Sequence, residues 1–380
     1  MAGGGRDEQL KLLGAWASPF VQRVRVALHL KGLDYENVEE DLVNKSELLL
    51  ASNPVHKKVP VLLHGGRPVC ESLFIVQYLD DAFPDAGQAI LPADPYDRAV
   101  ARFWAAYVDD KIFPPMGQAL KATTDEVKTA ATETLLAALE TLEGAFAELS
   151  RGKGFFAGDA PGYVDVAVGG FIAWMRASEK LVGVTLLDPG RIPLLSAWAH
   201  RFAALEAAKE VLPDVDKLVE FAKALQAPPL DRFLPPPPPG TTQKSFERSK
   251  LNCTAPAWMA GVGRDEQLRL LGEWPSPFVH RVPVVALHLK GLEYENVDMF
   301  NKSELLLASN PVHKKVPVLL HGGKPVCESL VIVQYLDDDF PGTEQAILPA
   351  DPYDRTIVRF WAAYVDDIVL HLRAHVFISN

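Results

Sequence analysis

In Trp16-Ala-Ser-Pro-Phe20 a serine stands directly before a proline, at the junction between an apolar run and an apolar-periodic run. The spacing predicts that Ser18 sits between a strand and a helix, with Pro19 pre-set for the first helical position. Two readings are open. In one, Ser18 is an N-cap whose oxygen satisfies orphan backbone N–H groups. In the other, the same geometry serves chemistry: a hydroxyl at the positive end of a helix donates to an anion such as a thiolate, and the helix terminus lowers a thiol pKa from its free value of about 8.5.

A second stretch, Pro54-Val-His-Lys-Lys-Val-Pro-Val-Leu62, puts two lysines before Val59-Pro60 and an apolar run. Proline cannot donate to a sheet ladder, so the peptide makes a bend or an edge, with a cis bond at Pro60 as one form of it. Read functionally, Val59 offers its N–H and C=O to an extended ligand, and Lys45 and Lys58 hold a carboxylate. Read structurally, both lysines are solvated surface charges. In a third stretch, Val69-Cys-Glu-Ser-Leu73, a carboxylate and a hydroxyl open a helix just after a strand. They form either a cap or a seat for a ligand bearing both charges, with Glu71 taking an ammonium and Ser72 with the helix N–H groups taking an anion. Cys70 reads as a small core residue and is assigned no role.

The elements that must position these residues alternate quickly. Strands are expected over Gln9 to Ala15, Tyr35 to Glu39, Val61 to His64 and Pro68 to Cys70. Helices are expected over Ser18 to Lys31, Ser46 to Ala51 and Glu71 to Phe83, with Gly65-Gly66 as a hairpin turn. That order, βαβαββα, is a small α/β domain over residues 1–85. From Asp94-Pro95 onward the pattern is helical, with runs over Thr132 to Leu149, Gly162 to Glu179, Ile192 to Lys209 and Pro213 to Leu225, so residues 94–227 form an all-α domain.

Asn44 to Asp80 then recurs as Asn301 to Asp337 with only Arg67/Lys324 and Phe74/Val331 different, and Arg98 to Asp110 has a counterpart near Arg355 to Asp367. Lys111 to Gln226 has none. The chain therefore carries one complete copy and one partial copy, at a spacing unlike that of a solenoid. Residues 264–341 are expected to form a second α/β domain and 350–380 the truncated start of a second helical one. The five-proline run Pro235 to Pro239 and the aperiodic polar stretch around it make 228–263 a linker.

With 380 residues, 48% of them hydrophobic, the chain can bury two or three cores, yet no apolar run approaches the 18 or so residues needed to span a bilayer. Met1 to Arg6 is glycine-rich without an apolar signal region, so secretion is not indicated. Three scattered cysteines argue against a disulfide framework or a zinc site, no metal is expected, and a reducing cytosol fits. The net charge of -11 argues against nucleic-acid and anionic-membrane partners.

Taken together, Trp16-x-Ser-Pro-Phe20, Arg23-Val-Arg-Val-Ala-Leu, Glu40-Asp-Leu-x-Asn-Lys-Ser46, Asn53 to Leu62, Glu71-Ser-Leu and Gly162-Tyr-Val-Asp165 closely resemble plant glutathione transferases of the tau class, over Gln9 to about Leu225. The resemblance implies a thioredoxin-like domain with a cis-proline at Pro60, an all-α domain and a homodimer through residues 1–227. It implies that Ser18 stabilises the glutathione thiolate, that Lys45 and Lys58 lie near the glycyl carboxylate, that Val59 offers its backbone to the cysteinyl unit, and that Glu71 and Ser72 take the γ-glutamyl end. Glutathione is then a co-substrate, with no permanently bound cofactor. Phe20, Phe113, Trp174 and Phe221 are implied as walls for a hydrophobic electrophile. Arg23 either adds positive potential beside Ser18 or is an ordinary surface arginine. Ala15 departs from the family's common aromatic, and Pro114-Pro115 interrupts a helix that relatives often continue, which reshapes the pocket mouth.

The implied activity is conjugation of glutathione to hydrophobic electrophiles in detoxification and stress response, with hydroperoxide reduction as a side activity. The alternative is a non-catalytic carrier of hydrophobic molecules. A thiol-disulfide or dehydroascorbate reductase needs a cysteine where Ser18 stands. The second copy repeats Ser276, Lys302, Lys315, Val316, Glu328 and Ser329, but it is expected to be degenerate. Pro283 falls inside its first helix at a cost of about 3 kcal/mol, and one inserted residue rotates later positions by roughly 100°. The segment before Asn301 is two residues shorter, and no electrophile domain follows. It is expected to fold poorly, to bind glutathione weakly and to promote association.

Overall fold

The computed structural model describes residues 9–226, 267–272, 276–283, 288–298, 303–341 and 345–378. The expected linker and Cys253 lie outside the described residues. The first unit runs β1 (Leu10–Gly14), α1 (Pro19–Leu30), β2 (Glu36–Glu39), α2 (Glu47–Ser52), β3 (Val61–His64), β4 (Arg67–Cys70) and α3 (Ser72–Ala82). Its sheet has the order β2-β1-β3-β4, with β1 parallel to β2 and antiparallel to β3. Central β1 is apolar toward both faces because both are covered. Leu10 and Leu12 join the core beneath α1 and α3, while Leu13 meets Leu49 of α2.

The helical unit follows with α4 (Pro95–Tyr107), α5 (Phe113–Lys121), α6 (Asp125–Leu149), α7 (Tyr163–Gly169), α8 (Ile172–Val182), α9 (Pro193–Ala203), α10 (Glu206–Lys209) and α11 (Val215–Gln226). Two expected helices are each split. The run expected from Gly162 to Glu179 breaks at Gly170-Phe171, where a Cβ on Gly170 would lie 2.5 Å from the Pro19 carbonyl oxygen. The glycine lets α1 approach closely, a long-range demand that local periodicity does not carry. The run from Ile192 to Lys209 divides between Ala203 and Glu206. At Pro114-Pro115 the chain neither stops nor bends freely. A π-turn over Val108–Ile112 joins α4 to α5, and the prolines follow Phe113 in the first turn of α5, where their missing N–H groups cost least.

The second copy gives β5 (Leu268–Gly272), α12 (Pro277–Arg281), β6 (Glu295–Asp298), α13 (Glu304–Ser309), β7 (Val318–His321), β8 (Lys324–Cys327), α14 (Ser329–Asp339) and a single long α15 (Pro352–Ile378). Its sheet repeats the first, in the order β6-β5-β7-β8. Where poor folding was expected, Leu268, Leu270, Leu319, Ile332 and Leu336 form a buried core that Ala99 of the first copy joins. The expected rotation does not reach the end of the segment: the His288 N–H donates to the Pro283 carbonyl at 3.0 Å. Lys290 then meets Asp337 at 2.8 Å, as Lys31 meets Asp80 at 3.0 Å. Pro283 has its effect earlier, since α12 ends at Arg281 where α1 continues to Leu30.

The copies pack on one another across a pseudo-two-fold. α4 lies against α14, and α3 against α15. Arg102 meets Asp338 at 2.7 Å, and its counterpart Arg359 meets Asp81 at 2.9 Å.

Candidate functional site

Ser18 caps α1 from an extended backbone, and its oxygen accepts the Val21 N–H at 3.4 Å. Because the oxygen serves as acceptor, its own proton remains to be donated. Pro19 occupies the first turn as the sequence implies. Trp16 beside it donates its backbone N–H to Glu39 at 2.6 Å, tying the loop to β2.

The loop leading into β3 is held from below. Asn53, almost fully buried, donates to the Lys58 carbonyl at 2.9 Å and accepts the His56 N–H at 3.1 Å. Lys45 donates to the Lys57 carbonyl at 2.8 Å, and Glu40 holds the adjacent Ser46 hydroxyl at 2.7 Å. The Val59-Pro60 peptide is cis, and β3 begins only at Val61, so Val59 precedes the ladder. Lys58 is exposed beside this edge.

Glu71 is a non-glycine residue in the left-handed region, φ 69°, at the head of α3, and it makes no capping bond. Residues held there cost about 1–3 kcal/mol and persist when their surroundings fix them. The conformation turns the carboxylate toward His56, 3.9 Å away. Burial pushes its pKa up, opposed by His56 and Lys58 and reinforced by Asp109 and by Asp367 of the second copy. Ser72, the next residue, accepts from Arg23 at 3.2 Å.

Arg23 is not a surface arginine. It is fully buried and donates to the Ala167 carbonyl at 2.8 Å, to Ser72 and to both oxygens of Asp109, with its guanidinium over Phe171 at 4.8 Å. It fastens α1 to the start of α3 and to the helical unit. The sequence signal was present, since Arg23 falls between Val21 and Val24 on the buried side of α1. Asp109 and Asn53 carried no such signal, because their partners are set by tertiary placement.

The four aromatics separate into two groups. Phe20 and Phe113 meet edge to face at 4.9 Å and join Phe171. Together with Lys58, Val59, Pro60, Glu71 and Ser72, these two line a cavity of about 1050 Å³ that extends between the copies. Trp174 and Phe221 pack instead beside the start of α1, where the Trp174 indole N–H donates to the Ala17 carbonyl at 2.6 Å and Phe221 faces Trp16. Ser18 and Lys45 are not in the lining of that cavity. Burial raises the Cys70 thiol to about 12, in keeping with a packed, unreactive residue.

In the second copy, Val316-Pro317 is again cis, Glu328 again has φ 70°, and Ser329 accepts from Arg281 at 3.1 Å. Lys315 is exposed, and its carbonyl accepts from Asn310 at 2.9 Å. Ser276 heads α12 without a side-chain cap bond, and Lys302 lies outside the described residues. Among the described residues no group of three or more His, Cys, Asp or Glu side chains is placed to hold a metal ion, and no helix is long and apolar enough to cross a membrane.

Residues 8–81 and again 266–338 match the family model described as glutathione S-transferase, N-terminal domain, and residues 125–201 match that of the C-terminal domain. A probable glutathione S-transferase of rice, Oryza sativa subsp. japonica, is 57% identical over 230 residues, which is 59% of this chain and 96% of the relative. The chain belongs to the glutathione S-transferases. A tau-class enzyme from mango, Mangifera indica, of known crystal structure is 50% identical with a TM-score of 0.56, covering 58% of this chain and 99% of the mango chain. A rice glutathione S-transferase solved in complex with glutathione is 42% identical with a TM-score of 0.54, over 58% of this chain and 97% of its own. The transferase fold is thus a thioredoxin-like domain and a helical domain, followed by a partial second copy of the first.

Proposed function

We propose that this glutathione transferase works from its first copy, with Ser18 donating a hydrogen bond to the glutathione sulfur and holding it as the thiolate that attacks a hydrophobic electrophile. The observation that carries the reading is a pair of helix starts in one domain. One is headed by a hydroxyl with its proton to spare, the other by a carboxylate that caps nothing. The first suits a thiolate, the second an ammonium group. Between them, the backbone of Val59 before the ladder suits the cysteinyl unit. Lys58, with the two Lys45 N–H groups left after its bond to Lys57, suits the glycyl carboxylate. Ser72 and the first N–H groups of α3 suit the γ-glutamyl carboxylate. The rice relative solved in complex with glutathione supports glutathione as the ligand.

The reaction forms a carbon–sulfur bond as the leaving group departs with its electron pair, or as the pair moves onto an acceptor carbon. The enzyme lowers the barrier by stabilising the thiolate and by proximity. The same thiolate suits reduction of organic hydroperoxides, consuming two glutathiones and releasing alcohol, water and glutathione disulfide. Phe20 and Phe113 serve as one wall for the electrophile, Trp174 and Phe221 as another. We place the activity in the cytosol, in detoxification of reactive hydrophobic compounds.

Titrating bound glutathione by its thiolate absorbance tests this reading. Ionisation at least one pH unit below free glutathione, together with turnover of an aryl halide, supports it. Tight binding of glutathione and apolar dyes with no turnover overturns it in favour of the carrier.

A further inference from the structure

The contacts between the copies repeat themselves with exchanged roles at an offset of 257, from 81 to 338 and from 102 to 359. Arg98 approaches Asp338 at 3.5 Å, and Arg355 approaches Asp81 at 3.7 Å. Lys324 lies over the ring of Tyr96 at 5.0 Å, and Arg67 over that of Tyr353 at 4.4 Å. His313 packs against Phe103 at 5.2 Å, and His56 against Phe360 at 5.6 Å. An interface in which residue i meets j and the copy of j meets the copy of i is isologous, the arrangement by which two separate subunits form a closed dimer. Here it is satisfied inside one chain.

The match is not complete. Val312 packs against the first copy's core beside α4 and α6, lining an open apolar cavity of about 380 Å³. Trp361 is 48% exposed, whereas its counterpart Trp104 is 7% exposed. The second copy therefore supplies a face to the first, with Trp361 left open where Trp104 is covered.

We infer that the appended copy is a tethered stand-in for a partner subunit: it occupies the association face of the first copy, making the chain a self-contained monomer with one complete catalytic unit, and it steadies the glutamyl end of that unit's site. The expected homodimer through residues 1–227 is then blocked, because α3 and α4 are already covered. The second part rests on the glutathione reading of Glu71. The rings of Phe360 and Tyr364 hold His56 at 5.6 and 5.7 Å, and His56 faces the Glu71 carboxylate. Phe360 and Tyr364 are thus positioning residues, acting through His56.

Light scattering at micromolar concentration tests the first part without reference to the reaction. The full-length protein is expected to show the 41.7 kDa mass of one chain. Residues 1–226, the stretch that corresponds to nearly the whole of the rice relative, are expected to show twice their own mass. In the full-length protein, Asp81→Arg with Asp338→Arg sets arginine against arginine at both ends of the interface and is expected to enlarge the radius of gyration. A two-chain mass for the wild type, a single-chain mass for 1–226 or an unchanged radius in the double variant overturns it. For the second part, Phe360→Ala with Tyr364→Ala is expected to raise the KM for glutathione about 3- to 10-fold at unchanged kcat and unchanged mass. An unchanged KM overturns that part alone.

Discussion

Replacing Arg23 by methionine removes the fastening between α1, the head of α3 and the helical unit while keeping the bulk between Phe20 and Phe171. The guanidinium has no solvent exposure, whereas the Asp109 side chain keeps 31%. Breaking a buried pair by removing one partner costs about 3–5 kcal/mol. Water at Asp109 places this case at the lower end, about 3 kcal/mol. A unit of this size loses about 2–4 °C of Tm per kcal/mol, so scanning calorimetry should show a fall of about 6–12 °C. Arg23→Lys should recover little, since an ammonium cannot fork between Asp109, Ser72 and the Ala167 carbonyl. Arg281→Met removes the matching contacts to Ser329 and Asp366, but there both side chains are about one-fifth exposed, 20% and 19%, and the expected loss is smaller. A double-mutant cycle of Arg23→Met with Asp109→Asn should be strongly non-additive. A Tm change below about 2 °C for Arg23→Met, or an additive cycle, would refute the fastening role.

Asp165, fully buried, accepts the N–H groups of Phe156, Ala157 and Gly162 and the indole N–H of Trp198 at 2.7–3.2 Å, so Asp165→Ala should destabilise by about 3–5 kcal/mol, read from chemical denaturation. Gly170→Ala forces a Cβ to within 2.5 Å of the Pro19 carbonyl oxygen and 2.8 Å of Arg23 Cγ and should cost about 1–3 kcal/mol. Gly117→Ala, in α5 with open space around it, should gain up to about 1 kcal/mol in the same assay. Burial, with Lys111 and Lys315 nearby, pushes the His313 pKa down to about 4. The unfolded chain takes up that proton near 6.5 and the folded one only near 4, so this contribution is complete above pH 6.5 and fades as pH falls toward 4. Docking of the second copy, followed by small-angle scattering, should weaken over that window in the wild type and not in His313→Phe.

The alternation of short apolar runs with Gly, Pro and Ser punctuation made the first domain readable, because strand period, N-cap and hairpin turn are local properties. Ser18 at a helix head, the edge at Val59 and the helix start at Glu71 all follow from such signals. What local pattern could not carry are the groups whose meaning depends on distant partners. Arg102 and Arg98 sit one turn apart on α4 and look like a solvated pair until Asp338, 236 residues beyond Arg102, is placed beside them. The break at Gly170 exists for Pro19, and the return of Lys290 to Asp337 past the inserted residue is likewise a tertiary match. Glu71 reads from sequence as either a cap or a seat for an ammonium group, and its positive φ, with no capping bond, leaves the carboxylate to the cavity.

The most direct test of the catalytic assignment is the full-length Ser18→Ala variant, measured for conjugation of an aryl halide and, by calorimetry, for glutathione binding. A hydrogen bond to a charged group contributes about 1.5–3 kcal/mol, so kcat/KM should fall about 10- to 150-fold while glutathione affinity changes less than about 3-fold. A rate within about 3-fold of the wild type, or loss of binding in step with the rate, would contradict the assignment of Ser18 as the group that holds the thiolate.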